Sequence, residues 1–510
     1  MPCLVPIVSW PSLQAVWSWG RDACVALYVA AQALLILYSS HRWLVLWRRW
    51  RGRRLGASVP PPLAEWPPVT VQLPVYNERR VIERIIEAVA HLDYPRDRLE
   101  IQVLDDSNDE TRAWAEHAVA RHAARGVDIR LLRRDHRAGF KAGALAAGLA
   151  VARGEFLAVF DADFVPGRDF LRRTLPYFAD PGVGMVQARW GHLNRDGSLL
   201  TAAQAVMLDS HFALEHDARM RSGLFFNFNG TAGVWRRACI ESAGGWSPDT
   251  LTEDLDLSYR AQLAGWRFVF DATIEAPAEL PADLEALKSQ QRRWAKGSIQ
   301  TARKLLPRLL RDALPLPVKL EALVHLTNNL AYPLLLLLGV LLLPVQAGAG
   351  SVPPALAWAM QLGLVVLGIV PVSLFLVAGQ RALGRGERVA RDVVAAMLLA
   401  TGLSLNNARA VIEGLGGPPG EWERTPKVGA GQPPPGEPYA AAGGVTGRAE
   451  LLLALYFGAA AVLAASSRQW RALPLLALLL VAFGAVGVGS LRASLRAAAG
   501  RRVRLARGTG

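Results

Sequence analysis

The sequence predicts two parts: an α/β domain of the doubly wound, Rossmann-like kind, and an α-helical transmembrane region of about five spans. Three observations predict this. Short apolar runs alternate with helical patterns between Val69 and Asp271. Apolar segments long enough to cross a bilayer lie on both sides of that region. Arginine is concentrated beside those segments.

Within the α/β region, VTVQLPVY, LEIQVLDD, VDIRLLRR and FLAVFDAD have the unbroken apolar character of buried parallel strands. ERRVIERIIEAVAHL, DETRAWAEHAVARHA and FKAGALAAGLAVA lie between them with helical spacing. Ligands of such sheets bind beyond the strand C-termini. The polar clusters fall there: Asn77–Glu78, Asp105–Asp106 and Asp161–Asp163.

Hydrophobic residues make up 52% of the 510-residue chain, and mean hydropathy is +0.20, more apolar than a water-soluble protein of this size averages. Residues 23–39, 323–345, 354–379, 449–466 and 472–490 are the span candidates; 391–411 is a weaker one, interrupted by Ser404, Asn406, Asn407 and Arg409. Arg48, Arg49, Arg51, Arg53 and Arg54 follow the first span, and the C-terminal tail is equally basic. Both ends of the α/β region therefore read as cytosolic, with the N-terminus outside. That requires an odd number of spans, and five satisfies it if 391–411 is interfacial or re-entrant. The formal charge of +14 follows these membrane flanks, so nucleic-acid binding is not implied.

The three cysteines are far apart and form neither a zinc cluster nor a disulfide framework. No cleavable signal is evident at the start. The segments expected are 1–66, a transmembrane helix and basic linker; 67–287, the α/β domain; and 288–322, amphipathic interface helices. They continue with 323–411, transmembrane and interfacial helices; 412–447, a loop; and 448–510, C-terminal transmembrane helices with a basic tail. The helix over Lys288 to Arg311 sets Leu305, Leu306, Leu309 and Leu310 against Arg303, Lys304, Arg308 and Arg311, and is expected to lie on the membrane surface.

The chemistry-bearing residues are mostly carboxylates. Asp161 and Asp163 close the run FLAVFDAD. Residues two apart on a strand share a side, so both are expected at the ligand edge, where Mg²⁺ or Mn²⁺ could be bridged to a diphosphate. An acidic turn would read the same way. Asp105 and Asp106 end the neighbouring strand and suit base and ribose recognition or support of the metal. Lys141 opens a helix beside them, where a cation could meet phosphate. Thr252 is an expected N-cap, and Glu253 and Asp254 follow in the first turn. Such acids are common for structural reasons alone; the functional reading makes Asp254 a general base. Gln290, Arg293 and Trp294 share one helix face, with Arg293 placed to grip a diphosphate and Trp294 to stack on a sugar ring. The histidines form no metal-ligand motif and are read as structural.

In this order, PVYNE (74–78), VLDDS (103–107), FKAG (140–143), FDADF (160–164), FNGTAG (228–233), LTED (251–254) and QQRRW (290–294) resemble the processive family 2 glycosyltransferases of the cellulose-synthase superfamily. QLPVYNE, QVLDDSND and FNGTAGVWRR are most similar to the cellulose-synthase-like glucomannan, mannan and glucan synthases. The resemblance covers about 70–430. It implies a GT-A fold and an inverting single displacement. On the donor side it implies Asn77, Glu78, Asp105, Asp106, Lys141 and Arg293. Asp161 and Asp163 would hold the metal, and Asp254 would be the base. Asn229, Gly230, Glu253, Gln290 and Trp294 would lie on the acceptor side. GEWERTPK (420–427) resembles the family's gating loop, with Trp422, Thr425 and Lys427 matching; a Pro/Gly-rich linker is the plain alternative. A cyclic-dinucleotide-binding domain after the last span is not expected.

The resemblance therefore implies transfer of a hexose from UDP-glucose or GDP-mannose to a growing β-linked polysaccharide, extruded through the membrane. A lipid glycosyltransferase adding one or a few sugars is the alternative, and a non-catalytic transporter or scaffold a third. A bacterial inner membrane with the catalytic domain in the cytosol is the default location expected.

Overall fold

The computed structural model describes residues 13–52, 60–61, 63–347, 354–417, 420, 427, 429 and 446–507. Trp422 and Thr425 of the expected gating loop lie outside the described residues; Lys427 is within them.

A long helix, α1 (Leu13–Gly52), leads into a seven-stranded sheet. Its strands are β1 (Val69–Val75), β2 (Leu99–Asp105), β3 (Ile129–Leu132), β4 (Phe156–Val159), β5 (Val183–His192), β6 (Gly233–Arg236) and β7 (Arg267–Ala278). The order is β3-β2-β1-β4-β6-β5-β7. The four strands expected from sequence form the parallel half, β3-β2-β1-β4. The other half is not parallel throughout: β6 runs antiparallel to both β4 and β5, and β5 is parallel to β7.

The crossovers are α2 (Ile82–Ala90), α3 (Thr111–Ala123) and α4 (Phe140–Val151). α2 shows why such segments are helical: Ile82, Ile85, Ile86 and Val89 recur on one face, and all four are buried against the sheet. Next come α5 (Phe170–Thr174) and α6 (Leu199–Ser210), which runs through a π-helical turn, His211–His216, into α7 (Asp217–Arg221). α6 starts on a full capping box, Ser198 with Thr201. α8 (Arg237–Ser242) and α9 (Glu253–Leu263) separate β6 from β7, and α10 (Leu284–Arg311) follows β7.

The rest is helical: α11 (Leu316–Thr327), α12 (Ala331–Ala347), α13 (Pro354–Gly363), α14 (Val370–Ala382), α15 (Val389–Gly402), α16 (Ser404–Gly416), α17 (Thr446–Ser466) and α18 (Leu473–Arg507). Among the described residues, five helical stretches are long and apolar enough to cross a membrane: Asp22–Gly52, Leu316–Val345, Trp358–Ala382, Gly447–Ser466 and Trp470–Leu495. This is the number expected. The weaker candidate is the pair α15 and α16, bent by 47° at Leu403.

Two features bear on the helices expected at the membrane surface. On α10, Leu305 and Leu309 are buried with Leu255, Tyr259, Ala322 and Leu326 of α9 and α11, while Leu310 is exposed. Protein thus covers part of the apolar stripe. The basic run after the first span also serves the protein interior. Arg48 pairs with Glu321, and Arg49 with Asp217 at 3.1 Å.

Candidate active site

The strand ends, the start of α9 and the first half of α10 enclose one cleft. Its walls include Glu78, Asp106, Lys141, Asp161, Asp163, Asn229, Gly230, Glu253, Asp254, Gln290, Arg293, Trp294 and Lys427. Of the described residues expected at the site, only Asn77 and Asp105 are missing from this wall.

Both have structural work beside the cleft. Asn77 sits in the left-handed region (φ 57°) and clips two loops together. Its backbone N–H donates to Ser107 Oγ at 2.9 Å, and its side chain exchanges hydrogen bonds with Asn108. Asp105 is buried, with its carboxylate accepting from the Ser107 N–H at 3.0 Å and from Arg133 Nε at 3.1 Å. A carboxylate so occupied braces the loop, and Asp105 also lines a second hollow at this end with Tyr76, Asp106 and Arg137. Asp106 reaches the cleft wall, but Arg134 grips both its oxygens while also donating to Ala138 O at 2.8 Å. The Asp pair is thus matched by an Arg pair at the end of β3. Sequence reasoning missed these arginines, although they stand in VDIRLLRR. It also missed Arg137, whose guanidinium lies 3.5 Å over the Tyr76 ring at the same end.

Asp161 and Asp163 do not continue β4, which ends at Val159. They lie in a turn closed by Phe164 N–H to Asp161 O at 3.1 Å. Strand alternation is therefore not what brings them to the cleft; the turn does so. Each carboxylate holds an ammonium: Lys141 Nζ is 2.6 Å from Asp161, and Lys427 Nζ is 2.6 Å from Asp163. Burial alone would lower the Lys141 pKa, but Asp161 and Glu253 more than offset this and hold it above the ordinary lysine value. Burial raises the Asp163 pKa, and Lys427 opposes that rise.

The opposite wall is the start of α9. Thr252 does not cap this helix with its side chain, as expected from sequence; its hydroxyl pairs instead with Thr301 of α10 at 3.2 Å. The reason is close packing. A Cβ on Gly297 would stand 2.6 Å from Thr252 Cγ2, so α10 is pressed against the α9 start at a glycine. That contact brings Gln290, Arg293 and Trp294 to the cleft beside Glu253 and Asp254. Gly230, at φ 84°, lies directly under the acid: a Cβ there would be 3.0 Å from Asp254 Oδ2. Burial, then the neighbouring Glu253 charge, pushes the Asp254 pKa up to about 7. Glu253 is raised too, chiefly by burial, with Lys141 opposing.

Trp294 is half-buried and tilted against Trp190, ring centroids 6.5 Å apart. Trp190 also touches Phe164 and Phe212, so one aromatic patch floors the cleft. Sequence reasoning missed Trp190 and His192, which line the cleft from the end of β5. Arg292, the other arginine of QQRRW, points elsewhere and pairs with Glu413 of α16 at 2.7 Å.

A carboxylate with a pKa near neutrality, an acid pair able to hold a cation, a cationic helix face and an aromatic floor together suit transfer of a sugar away from a diphosphate. The comparisons agree with that chemistry. Residues 67–297 match the family model described as "Glycosyltransferase like family 2". The chain is 44% identical over 254 residues to glucomannan 4-β-mannosyltransferase 2 of Arabidopsis thaliana, covering 49% of this chain and 48% of that protein. It is 38% identical over 333 residues to probable glucomannan 4-β-mannosyltransferase 3 of Oryza sativa subsp. japonica, covering 59% and 60%. The chain spans about half the length of the curated relatives it matches. Among solved structures it is similar in fold to mannosyltransferase PcManGT from Pyrobaculum calidifontis in complex with GDP-Man and Mn²⁺. That likeness has a TM-score of 0.50 at 24% identity, over 76% of this chain and 99% of that one. Residues 67–297 are therefore a family 2 glycosyltransferase domain, built on a GT-A-like mixed sheet and followed by helices long enough to span a membrane.

Proposed function

We propose that this chain is an inverting membrane hexosyltransferase, which moves mannose from GDP-mannose onto a growing β-1,4-linked polysaccharide. The observation that carries the reading is Asp254: a half-buried carboxylate with a pKa pushed to about 7, over Gly230 and in the same cleft as Asp161, Asp163 and Trp294. In the proposed step, Asp254 takes the proton of an acceptor hydroxyl as that oxygen attacks the anomeric carbon. The nucleoside diphosphate leaves from the opposite face, so one displacement inverts the α-linked donor to a β-linked product. Lys141 and Arg293 face the leaving charge, and Trp294 supports the acceptor ring.

The residues fit a divalent cation. Asp161 and Asp163 are hard oxygen donors, and both hold ammonium groups at 2.6 Å, so the position is one that attracts cations. Among the described residues no group of three or more His, Cys, Asp or Glu could hold a metal, so diphosphate oxygens would complete the coordination. Mg²⁺ or Mn²⁺ bound there would neutralise the departing diphosphate.

Mannose is favoured over glucose because the similar curated proteins are named as mannosyltransferases, at 38–44% identity. Processive extension and extrusion through the membrane are supported by the spans on both sides of the domain and by Trp294 in the first half of α10. The similar curated proteins come from plants, which gives a bacterial inner membrane no support. The proposal is for an integral membrane protein whose catalytic domain faces the cytosol.

The test is purified protein given radiolabelled GDP-mannose and UDP-glucose separately, with linkage and length analysis of the product. A long β-linked mannan from GDP-mannose supports the reading. A single sugar on a lipid contradicts processivity, and label taken only from UDP-glucose contradicts the donor.

A further inference from the structure

The π-helical turn His211–His216 does something that an α-helix cannot do. Residues five apart on an α-helix point about 140° away from each other, at 100° per residue. The wider π turn brings positions i and i+5 much nearer to the same side. His211 and His216 thereby come together, ring centroids 4.4 Å apart, and both reach the side chain of Asn229 in the cleft wall.

The partners fix each group's role. Glu215 Oε2 accepts from His211 Nδ1 at 2.7 Å, so His211 Nε2 is the unprotonated nitrogen. That nitrogen accepts from Asn229 Nδ2 at 3.1 Å. On the other side, His216 Nε2 donates to Asn229 Oδ1 at 2.6 Å and to Asn227 O at 3.1 Å. His216 Nδ1 is buried without a hydrogen-bond partner, as an unprotonated nitrogen would be. Burial, aided by Arg219, keeps both rings neutral: His211 lies well below the usual histidine value, and His216 is lowered to about 3. The chain of bonds then runs in one direction, His216 to Asn229 to His211 to Glu215. Glu215 is in turn held by Arg42 of α1.

We infer that His211 and His216 are positioning residues that lock the Asn229 amide in one orientation, so that its second Nδ2–H is presented to a hydroxyl oxygen of the acceptor sugar. This inference rests on the transfer reaction proposed above. An amide is nearly symmetric in shape, and a flip would offer an oxygen in place of the N–H. Here a flip sets Nδ2 against the His216 N–H and Oδ1 against the His211 lone pair, losing two hydrogen bonds at once. The backbone is fixed as well, since Asn229 N–H donates to Gln187 Oε1 at 3.0 Å. The arrangement ties acceptor recognition to the first membrane helix through Arg42 and Glu215.

The experiment uses the full-length protein in detergent, with GDP-mannose as donor and a β-1,4-mannan oligosaccharide as acceptor. GDP-mannose hydrolysis without acceptor is the second readout. His216→Phe keeps a ring and removes the donor, and His216→Gln keeps an N–H at the same reach. Asn229→Ala leaves the helix untouched. The expected result is about a tenfold rise in acceptor KM for His216→Phe and Asn229→Ala, hydrolysis within about twofold of wild type for His216→Phe, and recovery to within about threefold in His216→Gln. An unchanged acceptor KM in His216→Phe overturns the inference. So does a Gln variant as poor as Phe, or hydrolysis that falls in step with transfer. Wild-type protein that neither transfers nor hydrolyses overturns the proposed reaction instead.

Discussion

Lys427 donates a 2.6 Å hydrogen bond to Asp163 Oδ2, joining positions 264 apart in the chain across the acid pair of the cleft. Asp163 is buried and Lys427 half-buried, and the carboxylate holds the ammonium pKa above its ordinary value, although burial alone would lower it. An ammonium on a carboxylate competes with any divalent cation for the same oxygen. Lys427→Ala should therefore lower the thermal stability of the protein alone. Mn²⁺ should then raise Tm by about 2 °C or more beyond its effect on wild type, because it no longer displaces a lysine. Equal Mn²⁺ shifts in the two proteins, read by differential scanning fluorimetry, would remove Asp163 from the metal site.

Gly230 has two reasons to be glycine: a φ of 84°, and the 3.0 Å that would separate its Cβ from Asp254 Oδ2. Gly230→Ala should cost about 1 kcal/mol in backbone strain. It should also displace the acid, cutting kcat at least about tenfold while donor affinity changes little. Initial rates and nucleotide binding on the same preparation separate the two effects.

Trp294 is predicted to act on the acceptor rather than the donor. Trp294→Ala should raise acceptor KM and shorten the product, whereas Trp294→Phe, which keeps an aromatic face beside Trp190, should retain most of the chain length. Size analysis of products from the two variants decides this.

How much of this was legible in the sequence depended on the kind of signal. The parallel strands β1 to β4 read directly, because their apolar runs end in polar clusters. The sheet's second half did not, because β6 is only Gly233–Arg236 and pairs antiparallel with strands distant in the chain. Cleft residues carried by motifs were found, but the reasons given for them partly failed. Thr252 reads as an N-cap until Gly297 brings α10 against it, and Asp161 and Asp163 read as strand residues although a turn carries them. Asp105 looks like a free acid because Arg133 is 28 positions away. The histidine clamp is hidden for a plainer reason: a π turn has no spacing of its own, and His211 and His216 look unrelated at the α-helical period.

The pH profile follows from Asp254. A base must be deprotonated to act, and this carboxyl titrates near 7 because burial and Glu253 disfavour its charge. kcat/KM should therefore climb between about pH 6 and pH 8, with its midpoint near 7, and level off above. A rate flat down to about pH 5 would mean that the group taking the proton has an ordinary carboxylate pKa.

The most direct measurement is incorporation of label from GDP-mannose into β-linked product by wild type and Asp254→Asn, with nucleotide binding measured alongside. The asparagine keeps the shape and loses the base. Binding should be preserved, while kcat falls about 10²–10⁴-fold. Transfer by Asp254→Asn at close to the wild-type rate would contradict the account.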